Sequence, residues 1–507
     1  MEYHLTKNTI AQPRYVLDTV CEQAVDIDLT LPDYCPDIER ILCCTLIPKI
    51  YLANVSGDRL NVEGASCVRI LYLDGDSGAI RSYEYSQPFS ESMPLKDAPS
   101  ECAIFTDAKP EYLNCRALSP RKLSLHGAFS LYAKVAAKGD MDYCEYDGDD
   151  DLQVKSEQLE LCALSGLCCD SFTVQEDIPV SGREINALLS YRLTARITEM
   201  KAIRDKIMLN AELKLELLYL SGAEKKEAAC MSYSLPVSRV IDCDGVDENA
   251  VIDGELSVMS CELHLSDDAL DGSALLSLDA KLGFSALCYI QKQISVISDA
   301  YSTDRDVELS VKPFSCTQNV VCRSYTDIAK TDLTVDDEIG RVLDVRCEKI
   351  ASSHMTADGA VKLHTKLCVG ILFETAQGET RYLERDAEFV YQPDCDGCDE
   401  VLRLKVAVDS LSYRLTDSRR LELRAELCYH LTLCCRRSCS AVKAVSADED
   451  AAAREKDGSV ILYYTDKGER VWDISKRFSS RPSDIIAENA LEGDTVAEGV
   501  MLLIPSA

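Results

Sequence analysis

Long alternations of apolar and polar residues run through most of this chain. Ile207, Leu209, Ala211, Leu213, Leu215, Leu217 and Tyr219 occupy every second position, with mostly polar residues between them. Val361, Leu363, Thr365, Leu367, Val369, Ile371 and Phe373 repeat the spacing, as do Leu60, Val62, Gly64, Ser66, Val68, Ile70 and Tyr72. A period of two sustained over this length predicts half-buried antiparallel strands. The aromatic that ends each run lies 34 residues after an isoleucine, in Ile38–Tyr72, Ile185–Tyr219 and Ile339–Phe373 alike. A constant offset of this kind marks an internal repeat. Each copy has a second half: Leu123, Leu125, Gly127, Phe129 and Leu131; Leu276, Leu278, Ala280, Leu282 and Phe284; Leu421, Leu423, Ala425, Leu427 and Tyr429. Ser56-Gly57-Asp58 and Asp358-Gly359 are hairpin signals. Asp242-Cys243-Asp244-Gly245-Val246 and Asp394-Cys395-Asp396-Gly397-Cys398 read as a turn between halves in copies two and three.

The period changes near the end of the sequence. Val460-Ile461-Leu462-Tyr463-Tyr464 reads as a strand. After Gly468, Val471, Ile474, Ser475 and Phe478 fall on one face of a helix, opposite Asp473, Lys476 and Arg477. Ser480 and Pro482 open a second short helix that Asn489 ends, and Met501-Leu502-Leu503-Ile504-Pro505 is a closing strand. The expected fold is therefore mainly β: tandem antiparallel β-rich repeats over 1–145, 152–312 and 313–440, a linker over 441–458, and a small α+β unit of order βααβ over 459–507.

Charge and cysteine content narrow the function. With 86 acidic against 54 basic residues and a net charge of −32, neither nucleic acid nor anionic lipid is an expected partner. No run of about 18 apolar residues suggests membrane insertion, and the first residues show no export signal. The 25 cysteines then read as reduced thiols filling core positions. The CxxC at Cys395 and Cys398 has no second pair to complete a zinc site, and its second cysteine is Val246 in the sister copy. The acidic stretch 138–151 lacks an EF-hand pattern and reads as a solvated loop. His126, His364 and His430 sit at outward strand positions, where solvated histidines are expected. No catalytic motif is present, so neither a catalytic residue, nor a metal, nor a cofactor is expected, and the chain reads as a non-enzyme.

Two resemblances add to this reading. The C-terminal unit resembles the LysM module through Tyr464, Gly468, Val471, Ile474, Ser475, Asn489 and the closing Leu502 to Pro505. Its loop departs from the family: Gly468-Glu469-Arg470 stands where Gly-Asp-Thr is usual, and Arg470 cannot cap the helix. In glycan-binding LysM modules that loop walls an N-acetylglucosamine groove, so the resemblance leaves sugar binding and protein binding both open. The expected contact residues are Lys467, Gly468, Glu469, Arg470, Val471, Trp472 and Asn489; Trp472 is either module core or an aromatic anchor. The first repeat resembles the SPOCS domain of spore-coat proteins through Asp28, Leu31-Pro32, Pro36-Asp37-Ile38, Ile41-Leu42, Gly64, Leu71-Tyr72 and Pro88-Phe89. Repeat two keeps Ile185, Leu218 and Tyr219, and repeat three mainly the apolar skeleton. The combination implies a coat morphogenetic scaffold in the mother-cell cytoplasm at the forespore surface. Its implied partners are a SpoIVA-type coat ATPase, reached through LysM, and other coat proteins. The alternative is a cell-wall protein binding peptidoglycan.

Overall fold

The computed structural model describes residues 2–148, 151–180, 185–222, 227–266, 274–357, 360–395, 397–398, 400–447, 460–466, 468–496 and 499–505. Three six-stranded units follow one another. The first holds β1 (Thr6–Thr30), β2 (Ile38–Ser56), β3 (Arg59–Asp74), β4 (Ile80–Pro94), β5 (Cys102–Ser119) and β6 (Lys122–Glu145). The second holds β7 (Leu152–Val180), β8 (Ala187–Ile203), β9 (Lys206–Ser221), β10 (Glu227–Asp242), β11 (Val251–Ser266) and β12 (Ala274–Ser302). The third holds β13 (Val307–Thr334), β14 (Ile339–Ala357), β15 (Ala360–Thr375), β16 (Thr380–Tyr391), β17 (Glu400–Asp417) and β18 (Arg420–Ala447).

Each unit is two antiparallel three-stranded sheets. Strands two, three and four form a meander, while strand six lies between strands one and five in the other sheet. The alternating runs are the central strands β3, β9 and β15, and one face of each lies against the second sheet. Tyr72, Tyr219 and Phe373 are fully buried there, in cores that also hold Phe129, Phe284 and Tyr429 from the opposing β6, β12 and β18. Gly57 turns β2 into β3 at φ +63°, a left-handed backbone conformation that suits glycine. Gly245 and Gly397, both at φ +81°, turn the chain between the halves of units two and three, as the shared motif predicts. The expected hairpin at Asp358-Gly359 lies outside the described residues.

The three units meet along a common axis. Leu71, Leu218 and Leu372, at equivalent positions in β3, β9 and β15, share one apolar cluster. A second cluster joins Ala103, Ala136, Leu164, Leu287, Tyr289, Val320 and Cys434. A third joins Ile10, Leu159, Leu161, Val296, Phe314 and Ala441, and a fourth Tyr3, Leu5, Cys144, Ile297, Val442 and Val445. Every cluster draws on all three units, and the central strands β6, β12 and β18 touch one another. The ring closes where the Tyr3 N–H donates to the Val445 carbonyl at 2.9 Å.

This axis explains where the strands differ from the sequence pattern. The repeats were expected over 1–145, 152–312 and 313–440; β1 starts at Thr6 and β7 at Leu152, within those bounds. In the first part of β7 the alternation lapses where both faces are covered on the axis: Leu161, Cys162, Ala163 and Leu164 are buried in succession. For the same reason residues 441–447, expected as linker, are strand; Ala441, Val442 and Val445 are fully buried on the axis. β13 starts at Val307, ahead of the expected break at 313. His430 is half-buried, not solvated: it lies 2.8 Å from the Ser324 hydroxyl, and burial with nearby Lys405 lowers its pKa. His364 is also half-buried, whereas His126 is exposed and pairs with Asp26.

Candidate functional site

The last described residues form a separate small unit: β19 (Val460–Tyr464), α1 (Val471–Phe478), α2 (Pro482–Glu488) and β20 (Met501–Pro505). β19 and β20 pair antiparallel, with Val460 opposite Pro505 and Tyr464 opposite Met501. Val471, Ile474, Ile485, Val496, Leu502 and Ile504 make its core. The apolar stripe of α1 is thus the buried face, as the helical period predicts.

The loop that opens α1 is tied down from within. Glu469 accepts the Asp466 N–H at 2.9 Å and the Tyr463 hydroxyl at 2.8 Å, and it faces Arg477 at 3.4 Å. Its carboxyl is held below the usual range, first by the Asp466 N–H. Gly468 makes the turn at φ +79°, exposed, with open space around it. Arg470 stands at the N-cap position with extended backbone, φ −97° and ψ 142°, and its side chain makes no cap hydrogen bond. Its exposed guanidinium flanks the loop. Val471 is fully buried, so it supports the loop from behind. Asn489 caps α2 and spends its amide on backbone: Nδ2 donates to the carbonyls of Ile485 (2.8 Å) and Leu503 (2.7 Å), and Oδ1 accepts the Leu503 N–H at 2.7 Å. Lys467 lies outside the described residues. Gly468, Glu469 and Arg470 are therefore together on one loop, while Asn489 holds α2 against β20.

Trp472 has a different role from its neighbours. It is 6% exposed yet stays outside the unit's core. Its indole N–H donates to Asp299 at 2.9 Å, and its ring meets Tyr301 edge-on at 5.0 Å. Both partners are on β12 of the second repeat. Lys476, one helical turn on, reaches the same carboxylate at 2.7 and 2.8 Å, and the Tyr301 hydroxyl donates to the Ser480 carbonyl at 2.7 Å. Burial pushes the Asp299 carboxyl up, but the bonds from Lys476 and Trp472 outweigh it and hold the pKa below the usual value. Trp472 is thus an aromatic anchor turned toward its own chain. Sequence reasoning missed Asp299 and Tyr301 because they lie 173 and 171 positions away, with no local pattern to single them out.

The outer face of the β19–β20 sheet is the counterpart to this anchor. Leu462 (60% exposed), Tyr464 (66%), Val460 and Met501 all point to solvent, with Leu503 and Pro505 half-buried beside them. Every side chain on that face is apolar or aromatic.

Elsewhere, all 25 cysteines are free thiols, 15 of them buried. Among the described residues there is no group of three or more side chains placed to hold a metal, and no helix is long and apolar enough to cross a membrane.

Two stretches of the chain, residues 37–118 and 184–266, match the family model described as SipL, SPOCS domain. The chain is SipL-like in carrying tandem SPOCS repeats, which ties it to the sporulation coat. Each match runs through the meander sheet into the strand that follows it, β2 to β5 and β8 to β11. The third unit repeats the same sheets and strand order without a matched segment. No curated protein and no solved structure matches the chain.

Proposed function

We propose that this protein is a non-enzymatic scaffold of the spore coat. It works in the mother-cell cytoplasm at the forespore surface, its SPOCS-like ring holds coat proteins, and its C-terminal unit, a LysM-like module, docks on a SpoIVA-type coat ATPase. The observation that carries the docking reading is the apolar outer face of the β19–β20 sheet, with Leu462 and Tyr464 largely exposed. A continuous apolar face on a small unit is the mark of a protein contact, and a buried Tyr is a frequent anchor of such contacts. The unit is also fastened to the second repeat by Trp472 and Lys476, so a partner on its outer face becomes coupled to the ring.

A second reading, binding of peptidoglycan, rests on the open loop at Gly468 and Arg470. The full chain is tested by pull-down against the purified ATPase and against purified peptidoglycan. Leu462→Asp and Tyr464→Asp should weaken ATPase binding by about thirtyfold or more, the scale of a hot-spot loss, and Arg470→Ala should leave it intact. Retention on the wall alone, lost with Arg470→Ala, overturns the scaffold reading.

A further inference from the structure

The second cysteine of the CxxC motif has a thiol neighbour outside the motif. The Cys398 N–H closes the turn on the Cys395 carbonyl at 2.9 Å, and the Cys398 side chain meets a cysteine from another strand. Its Sγ lies 3.1 Å from the Sγ of Cys435 on β18, whose thiol also points toward the Gly397 carbonyl at 3.7 Å. The two positions are 37 residues apart, so their approach is made by the fold and not by the motif. Cys398 is buried and Cys435 partly open to solvent, which gives an oxidant access to one sulfur only. Two other sets of thiols lie close together, Cys44 with Cys115, both half-buried, and Cys243 with Cys168 and Cys288, all buried. Cys243 and Cys288 sit 3.9 Å apart with both sulfurs buried, and the second repeat carries Val246 where Cys398 stands.

We propose that Cys398 and Cys435 are a built-in oxidation site, closing to a disulfide that staples the turn between the halves of the third repeat to its central strand. The reaction is a thiol–disulfide exchange with a small-molecule disulfide such as oxidised glutathione. The Cys435 thiolate attacks one glutathione sulfur, the glutathione S–S bond breaks, and one glutathione leaves as thiolate. The Cys398 thiolate then attacks the Cys435 sulfur of the mixed disulfide and expels the second glutathione. Two protein thiols are oxidised, one external disulfide is reduced, and the two protons pass to the departing thiolates. Burial pushes the Cys398 thiol up to about 12, so ring closure is the slow step. Its rate should rise about tenfold per pH unit through neutral pH, as the thiolate fraction does.

The test treats the full chain with oxidised glutathione under native conditions, blocks remaining thiols, and maps peptides by mass. The expected result is one new disulfide, Cys398–Cys435, with the loss of two of the 25 thiols and a mass lower by two hydrogens, while Cys243 and Cys288 stay reduced. The urea midpoint of the whole ring should rise on oxidation. Cys398→Val, which borrows the second repeat's own residue, should leave the fold intact and halt the reaction at a glutathione adduct on Cys435. A stable adduct on Cys435 in the unaltered chain overturns the proposal. So does oxidation spread over other pairs, or no reaction at any pH.

Discussion

Tyr301→Ala should release the C-terminal unit from the ring. The substitution removes the hydroxyl bond to the Ser480 carbonyl, 2.7 Å long, a net contribution of about 1 kcal/mol. It also removes the edge-on contact with Trp472 at 5.0 Å, about 1 kcal/mol, and the burial of a ring that is 5% exposed, about 1–2 kcal/mol. The sum, about 3–4 kcal/mol, moves the docking equilibrium by a few hundredfold to a thousandfold. Trp472 is the only tryptophan of the chain, so its fluorescence reads the docked state directly. Emission should move to longer wavelength and become open to acrylamide quenching in Tyr301→Ala, while far-ultraviolet circular dichroism stays unchanged. Tyr301→Phe, which loses only the hydroxyl, should shift the equilibrium about fivefold. The pH dependence has a defined sign. Because Asp299 is held below the ordinary carboxylate value, its contribution is present above about pH 4 and is lost as pH falls through the lower folded value. Asp299→Asn should flatten that acid limb. An unchanged emission spectrum in a correctly folded Tyr301→Ala protein would refute the reasoning.

Two further outcomes follow from buried polar contacts. Arg403 on β17 hydrogen-bonds Asp253 and the Gly254 carbonyl across from the second repeat, with Glu255 at 3.3 Å. Arg403→Ala leaves the buried Asp253 carboxylate without its cation, held only by the Thr432 hydroxyl, while Glu255 keeps Lys405, and should cost about 3 kcal/mol, read as a lower urea midpoint of the whole ring. Asn489→Ala deletes three side-chain bonds to backbone and leaves the Leu503 N–H unpaired, so the C-terminal unit should lose about 2–3 kcal/mol, seen as earlier melting while the ring's transition stays in place.

The sequence was most legible where one face of a strand meets the core and the other meets water. There the alternation of 207–219 and its sister runs gives the strand, its buried face and its copy number. It was least legible on the axis, where β7 buries Leu161 through Leu164 without a break and the period that signals a strand is erased. The βααβ unit could be read from its helical stripe, from Pro482 in the first turn of α2 and from Asn489 at its end, and the missing cap at Arg470 from its side-chain chemistry. Ser480 does not cap α2, since Arg481 holds that position and the Ser480 hydroxyl bonds the Pro505 carbonyl. The role of Trp472 could not, because a single aromatic beside a loop has no sequence partner. Its partners Asp299 and Tyr301 reach it only through the fold. The neighbour of Cys398 likewise comes only through the fold, since β18 supplies Cys435 from 37 residues away.

The four stacked clusters on the axis also decide how the ring comes apart. In a solenoid, each repeat touches only its neighbours, and stability is close to a sum of local terms. Here each axial cluster needs side chains from all three repeats, and closure is sealed by a bond between Tyr3 and Val445. Such a ring does not shed one repeat and keep the others. Removing any member opens the interior of the remaining two to water, so the three are lost in a single transition. Assembly carries the same constraint in time, since contacts that span hundreds of residues form slowly and the axis stays open until β18 folds against β6 and meets Tyr3.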